Sequence, residues 1–205
     1  MPQANGQPLL HFAWHALGPR PQIGEARAQY DRLDPGPIRL LGLVEQEIDQ
    51  KGFAGFRSVA DKSGLTCLAP QQDKGNTAEA TRVAAGIIQG TSDLVGMAGF
   101  DSESGPGMAQ AIKEAGKTGQ IMATCVEAEE PHLRFLREGV LTACVGQKRE
   151  LFTYLGVKSL FDFNHSPIKF SKNDKAAGVS PIASNYNTGT YTVTQKSVSL
   201  FLGGA

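Results

Sequence analysis

The chain carries no excess charge of either sign: 20 Lys and Arg offset 20 Asp and Glu. Binding to nucleic acid without sequence preference draws on clustered positive charge, so no nucleic-acid partner is expected. No apolar run approaches the about 18 residues that span a bilayer. The opening MPQANGQPLLHFAW lacks the charged region and long apolar core of a secretory signal peptide. Cysteine is scarce and odd in number. Cys67, Cys125 and Cys144 are widely spaced, which excludes a disulfide framework and a zinc-ligand pattern. Each lies in an apolar run, as a buried free thiol would. The four histidines are equally unhelpful to catalysis. His11 and His15 are four apart with no supporting acid or thiol, and His132 and His165 stand alone. There is no HExxH and no nucleophile elbow with a Ser-His-Asp order. A non-enzymatic chain with no metal and no cofactor is therefore expected.

What is present is alternation. The chain has 205 residues, 40% of them hydrophobic, and 24 glycines. That is enough to bury a core and to make many tight turns. Short runs apolar on both faces predict buried strands at Ile38–Val44, Leu65–Ala69, Asp93–Phe100, Gln120–Val126 and Val140–Gly146. Leu9–Trp14 is a weaker candidate. Between them lie helical patterns: Phe53, Phe56, Val59 and Ala60 before the stop at Lys62-Ser63-Gly64; a helix capped by Thr77 and running to Gly90; one capped by Ser104 and ending at Gly116; a short one through Leu133 and Leu136 closed by Gly139; and a long one through Leu151, Phe152, Leu155 and Leu160. This order predicts an α/β fold, a three-layer, doubly wound and mostly parallel sheet of the flavodoxin or Rossmann kind. Ligands in such sheets sit at the C-terminal ends of strands. The loops there, 45–50, 70–76, 101–106, 127–131 and 147–150, are polar.

Three domains of description follow. Residues 1–37 are irregular, 38–163 form the α/β lobe, and 164–205 form a polar tail with short strands near Ser180–Ala183 and Thr190–Val193 and a helix near Gln195–Leu202.

Some motifs resemble chemistry. Ala111–Thr118, AIKEAGKT, is one residue from a phosphate-loop pattern. It ends a helix and leads into a strand, whereas a phosphate loop does the reverse, so a helix C-cap explains it better. Gly105-Pro106-Gly107 follows a strand and opens a helix, as a dinucleotide turn does. Pro106 lacks the donor a phosphate would need, and Gln110 replaces the third glycine. Glu127, Glu129 and Glu130 could do acid–base work or serve as helix-start carboxylates.

Four segments in order carry a family resemblance: GFAGFRSVADKSGL, DLVGMAGFDSESGPGMAQAIKEAGKTGQI, LREGVLTACVGQ and PIASNYNTGTYTVTQKSV. Together they resemble the C-terminal lobe of type I periplasmic solute-binding proteins, the ribose-type sugar-binding group of ABC importers. The resemblance implies a monosaccharide or polyol as ligand and an importer's permease and ATPase as partners. It also implies a periplasmic location, for which the chain shows no signal peptide. By resemblance the sugar contacts are Asp101, Glu127 and Gln147, with Ser102 beside the first and Phe100 as a ring for stacking. Carboxylates and amides suit sugar hydroxyls. Asp101 is equally well read as a helix-start cap. Where the family carries an Arg, this chain has Gly52, with Lys51 adjacent as the candidate cation. The family's N-terminal lobe is expected to be largely missing, with residues 1–37 as a hinge strand and one helix. Other readings stay open: a ligand-sensing regulatory domain of the same fold, a small α/β enzyme, or an interaction module that pairs through exposed interlobe surface, with itself as homo-oligomer or with a second chain.

Overall fold

In the computed structural model of the protein, residues 39–44, 47–165, 168–183 and 185–203 are described. The Leu9–Trp14 run, His11, His15 and the whole of residues 1–37 lie outside them. Two compact units divide the chain: residues up to Gly146 together with Tyr191 onward, and Gln147–Thr190. The first of these units ends its first stretch at Gly146.

The first unit is the α/β lobe. Its elements are β1 (Arg39–Val44), α1 (Glu47–Lys62), β2 (Thr66–Cys67), β3 (Gln71–Gln72), α2 (Thr77–Gly90), β4 (Leu94–Gly99), α3 (Ser104–Glu114), β5 (Met122–Val126), α4 (Glu130–Arg137) and β6 (Ala143–Gln147). Most of β7 (Thr190–Thr194) and a 3-10 turn at Val198–Leu200 complete it. The sheet order is β2-β1-β4-β5-β6-β7, with β3 also on β1. The pairs from β1 to β6 are parallel; Gly99 faces Cys125, and Cys125 faces Cys144. Because the chain steps outward from β1 in one direction and from β4 in the other, the crossovers diverge between these two strands. That is the switch point where such sheets open a crevice.

The strands are buried because both faces are covered. Phe53 of α1 packs with Ala98 and Phe100. On the opposite side Ala80 and Ala84 of α2, Met108 and Ile112 of α3, and Leu133 and Leu136 of α4 join Met97, Ala123 and Cys144. Alternate residues of β4, Met97 and Ala98, feed the two cores, as the period of a strand requires.

Several local expectations change. The run Leu65–Ala69 is a strand only at β2, and β3 lies beyond it, after Pro70, which has no N–H for the ladder. Asn76, not Thr77, caps α2: its side-chain oxygen accepts from the Glu79 N–H at 3.1 Å. No strand forms at Ser180–Ala183, and the helix expected near residue 195 is a single 3-10 turn. The phosphate-loop look-alike is a C-cap. Gly116 has φ of 64°, its N–H donates to the Lys113 carbonyl, and the Lys117 N–H donates to that of Ile112. This double bond pattern needs a residue that tolerates the left-handed region.

The second unit contains α5 (Arg149–His165) and α6 (Asp174–Ala177). The long helix forms where its apolar residues suggest, yet none of its residues is buried.

Candidate functional site

The polar residues of the lobe gather at the C-terminal end of β4. Asp101 follows that strand after Phe100 and closes an Asx turn. Its Oδ1 accepts from the N–H groups of Glu103 and Ser104, both at 2.7 Å. Asp101 therefore takes over the capping that the sequence assigns to Ser104, satisfying donors at the start of α3. Ser104 is fully buried and turns its hydroxyl between two carboxylates, 2.6 Å from Asp73 Oδ2 and 2.8 Å from Asp101 Oδ2. Asp73 comes from the loop after β3, is itself fully buried, and its Oδ1 accepts from the Gly75 N–H at 3.1 Å. Burial lifts the Asp73 carboxyl from its usual value to about 6, opposed by the Ser104 hydrogen bond and assisted by the Asp101 charge. The Thr77 hydroxyl donates to Glu103 Oε2 and ties the same loop to the start of α2.

Two glycines let this loop sit low on the sheet. A Cβ at Gly105 would lie 2.7 Å from the His132 ring and 2.9 Å from Cys125 Sγ. At Gly107 it would lie 2.5 Å from the Ala80 Cβ and 2.6 Å from the Thr77 carbonyl oxygen. The GPG turn is thus explained by helix and strand packing, not by phosphate. His132 is buried beneath the loop, and burial pulls its pKa down against the charges of Glu129, Glu103 and Asp101.

Glu127 ends β5. It is 8% exposed and holds a φ of 76°, while its N–H donates to the Val145 carbonyl at 2.8 Å. A glutamate in the left-handed region is strained by about 1–2 kcal/mol, and such strain collects at functional positions. Its neighbours in the acidic triplet behave differently. Glu130 pairs with Arg134 at 2.6 Å on the surface, and Glu129 occupies the N-cap position of α4.

The other expected contacts fall in varied surroundings. Ser102 is exposed on the loop. Gln147 is the last residue of β6 and half-buried. Lys51 lies near the start of α1, and its side chain is outside the described residues. Phe100 is packed among aromatic rings. Its ring is 8% exposed and meets Phe53 and Phe56 edge-on, with centroids at 6.0 and 5.8 Å. Gly52 closes on it as well, since a Cβ there would be 3.0 Å from the ring. Aromatic packing under α1 thus fixes the position of this ring. Asp73 and Ser104 escape sequence reading, because their meeting depends on two loops 31 residues apart. The only hint of Asp73 is that it sits in a polar loop after a strand.

Cys125 and Cys144 are buried with sulfurs 3.6 Å apart and form no disulfide. Their contact and their burial raise the Cys125 thiol's pKa well above normal, which leaves it protonated and unreactive. Among the described residues no group of acids, histidines or cysteines could hold a metal, and no helix is long and apolar enough to cross a membrane.

A parallel sheet with its polar loops at one end, where the buried Asp73 and the half-buried Asp101 meet through Ser104 beside the switch point, is an α/β lobe of the doubly wound kind. The family model described as periplasmic binding protein domain matches residues 36–163, and the chain belongs to that family. Solved structures agree on the fold. A sugar-binding protein of a sugar ABC transporter from Bacillus halodurans is 19% identical, with a TM-score of 0.74 over 88% of this chain and 60% of its own. An arabinose binding protein from Geobacillus stearothermophilus is 18% identical, with a TM-score of 0.72 over 89% of this chain and 60% of its own. An ABC transporter solute binding protein from Agrobacterium vitis, bound with α-D-tagatopyranose, is 21% identical, with a TM-score of 0.67 over 85% and 55%. The chain thus spans little more than half the length of these structures. No curated protein matches it.

Proposed function

We propose that this lobe is the sugar-contacting part of a solute-binding protein serving an ABC importer, and that it binds a monosaccharide or polyol without converting it. The observation that carries the reading is Glu127. A carboxylate is held at the end of β5 on a left-handed backbone that disfavours any side chain. It stands where the family resemblance expects a sugar contact. Asp101, at the matching end of β4, keeps Oδ2 shared with a single serine hydroxyl and so can accept from a ligand. Gln147 and Ser102 are proposed as further contacts on the resemblance alone, and Lys51 as the candidate cation. The structures of similar fold include one bound with a ketohexose and one named for arabinose, which favours pentoses and hexoses. A permease and ATPase are the partners this role requires.

Thermal shift against pentoses, hexoses and polyols at millimolar concentration tests the reading. At least one sugar raises Tm, and Asp101→Ala or Glu127→Ala removes that rise. No shift with any sugar would defeat it. The exposed apolar side chains of α5 favour a second reading, an interaction module that pairs with another chain or with itself. Sedimentation analysis distinguishes the two, since the sugar reading requires no concentration-dependent association.

A further inference from the structure

Ser104 has one hydroxyl proton and can donate it once. Yet its Oγ lies within hydrogen-bond distance of both Asp73 Oδ2 and Asp101 Oδ2. One of these contacts needs a second proton, or it sets lone pair against lone pair. The surrounding bonds say where that proton belongs. Asp101 already accepts two backbone N–H groups through Oδ1 at the start of α3. Asp73 is fully buried, accepts the N–H of Gly75, and lies in direct side-chain contact with Asp101, whose charge works against its own. A proton on Asp73 Oδ2 completes a directed chain. Asp73 donates to Ser104 Oγ, and Ser104 donates to Asp101 Oδ2. When Asp73 releases that proton to solvent, its carboxylate competes for the Ser104 hydroxyl through the shorter contact. Asp101 Oδ2 then loses its donor and is left to accept from elsewhere.

We propose that Asp73 and Ser104 are positioning residues for Asp101, and that the proton on Asp73 decides whether Asp101 Oδ2 is committed to Ser104 or open to a ligand hydroxyl. This rests on the reading of Asp101 as a sugar contact. The raised pKa of Asp73, about 6, sets the range in which the exchange occurs. Other titratable and charged groups lie around the pair: Lys74 next in the chain, Glu103 in the Asp101 loop, and His132 of α4 on the Asp101 side. Above this range the sugar binds more tightly. Below it Asp101 is occupied and the grip weakens.

The proton half is read without any sugar. Carboxyl-carbon and amide resonances are followed by NMR from about pH 4.5 to about pH 8, a window that brackets the Asp73 midpoint. In the wild type the Asp101 carboxyl and the Glu103 and Ser104 amides move with the Asp73 midpoint. In Asp73→Asn they stay still. Asparagine keeps its oxygen on the Gly75 N–H and so turns its NH₂ toward Ser104, fixing the proton-bound direction. In Ser104→Ala, Asp73 still titrates, but Asp101 and its amides follow with a markedly smaller shift, through the direct charge contact alone. An unchanged Asp101 response in Ser104→Ala overturns the proposal, as does a wild type in which Asp101 ignores Asp73.

The ligand half uses L-arabinose and D-ribose as probes in calorimetry. A shared proton of this kind predicts that Kd tightens by about threefold to tenfold between pH 5 and pH 7.5 in the wild type, and by markedly less in Ser104→Ala. Equal slopes in the two proteins overturn the proposal. If neither sugar binds while the NMR coupling holds, the sugar reading falls and the coupling stands.

Discussion

Helices α4 and α5 make an instructive pair. The first has eight residues, three of them Arg or His, and buries His132, Leu133 and Leu136. The second has 17 residues, carries Phe152, Val157, Leu160, Phe161 and Phe163, and buries none of them. Apolar content is therefore not what decides burial. In α4 the apolar residues fall on one stripe with charges opposite. In α5 they occur at positions 151, 152, 154, 155, 157, 160, 161 and 163. At about 100° per residue these positions run more than halfway around the axis, so no single face is set apart for a core. The unit containing α4 has a packed interior, and α5 belongs to one that offers it none.

The comparison is broken most forcefully by truncation. Leu136→Ala in α4 costs about 3–5 kcal/mol in a urea melt, because Leu136 is fully buried and leaves a cavity. Leu160→Ala in α5, where the side chain is 63% exposed, stays within about 0.5 kcal/mol. Similar losses at both positions would mean that α5 is packed after all.

Alanine at glycine sharpens the contrast and reverses its sign. Gly107→Ala forces α2 and α3 apart and costs about 1–3 kcal/mol. Gly156→Ala, mid-helix in α5 with nothing near its Cβ, gains up to about 1 kcal/mol through helix propensity.

A pH effect comes next, confined to the lobe. The Asp73 pKa is raised in the folded state, so the folded protein holds this proton more tightly than the unfolded chain. The stability it contributes is fully present below about 3.8 and is lost as pH rises through about 6. The difference in Tm between wild type and Asp73→Asn therefore shifts in favour of the wild type as pH falls from 7.5 to 5. Taking the difference cancels the opposing contribution of His132. A difference independent of pH would contradict the burial argument.

The smallest effect isolates one dihedral angle. Glu127→Gly and Glu127→Ala both delete the same side chain, but only alanine keeps the left-handed strain. Chemical denaturation finds the glycine variant more stable by about 1 kcal/mol.

The strands were legible because each is a short apolar run between polar loops, and β1, β4, β5 and β6 fall within a few residues of expectation. Pro70 shows the limit. A missing N–H breaks a ladder only once the partner strand is known. The site was half legible. Asp101 and Glu127 are polar residues at strand ends, which a sequence displays. The rings around Phe100 were not legible, because Phe53 and Phe56 approach it only through the packing of α1. Asp73 and Ser104 meet across the sheet's crest, and no local pattern announces such a pair. The left-handed backbone of Glu127 is likewise invisible in the sequence, since such a conformation is signalled by glycine and here the residue is glutamate.

The most direct measurement is an amide NMR titration of the protein with L-arabinose and D-ribose. The account predicts saturable shifts concentrated at residues 101–104 and 126–128, abolished in Glu127→Ala. Saturable shifts elsewhere in the chain with these two segments silent, or no shift with either sugar, would contradict it.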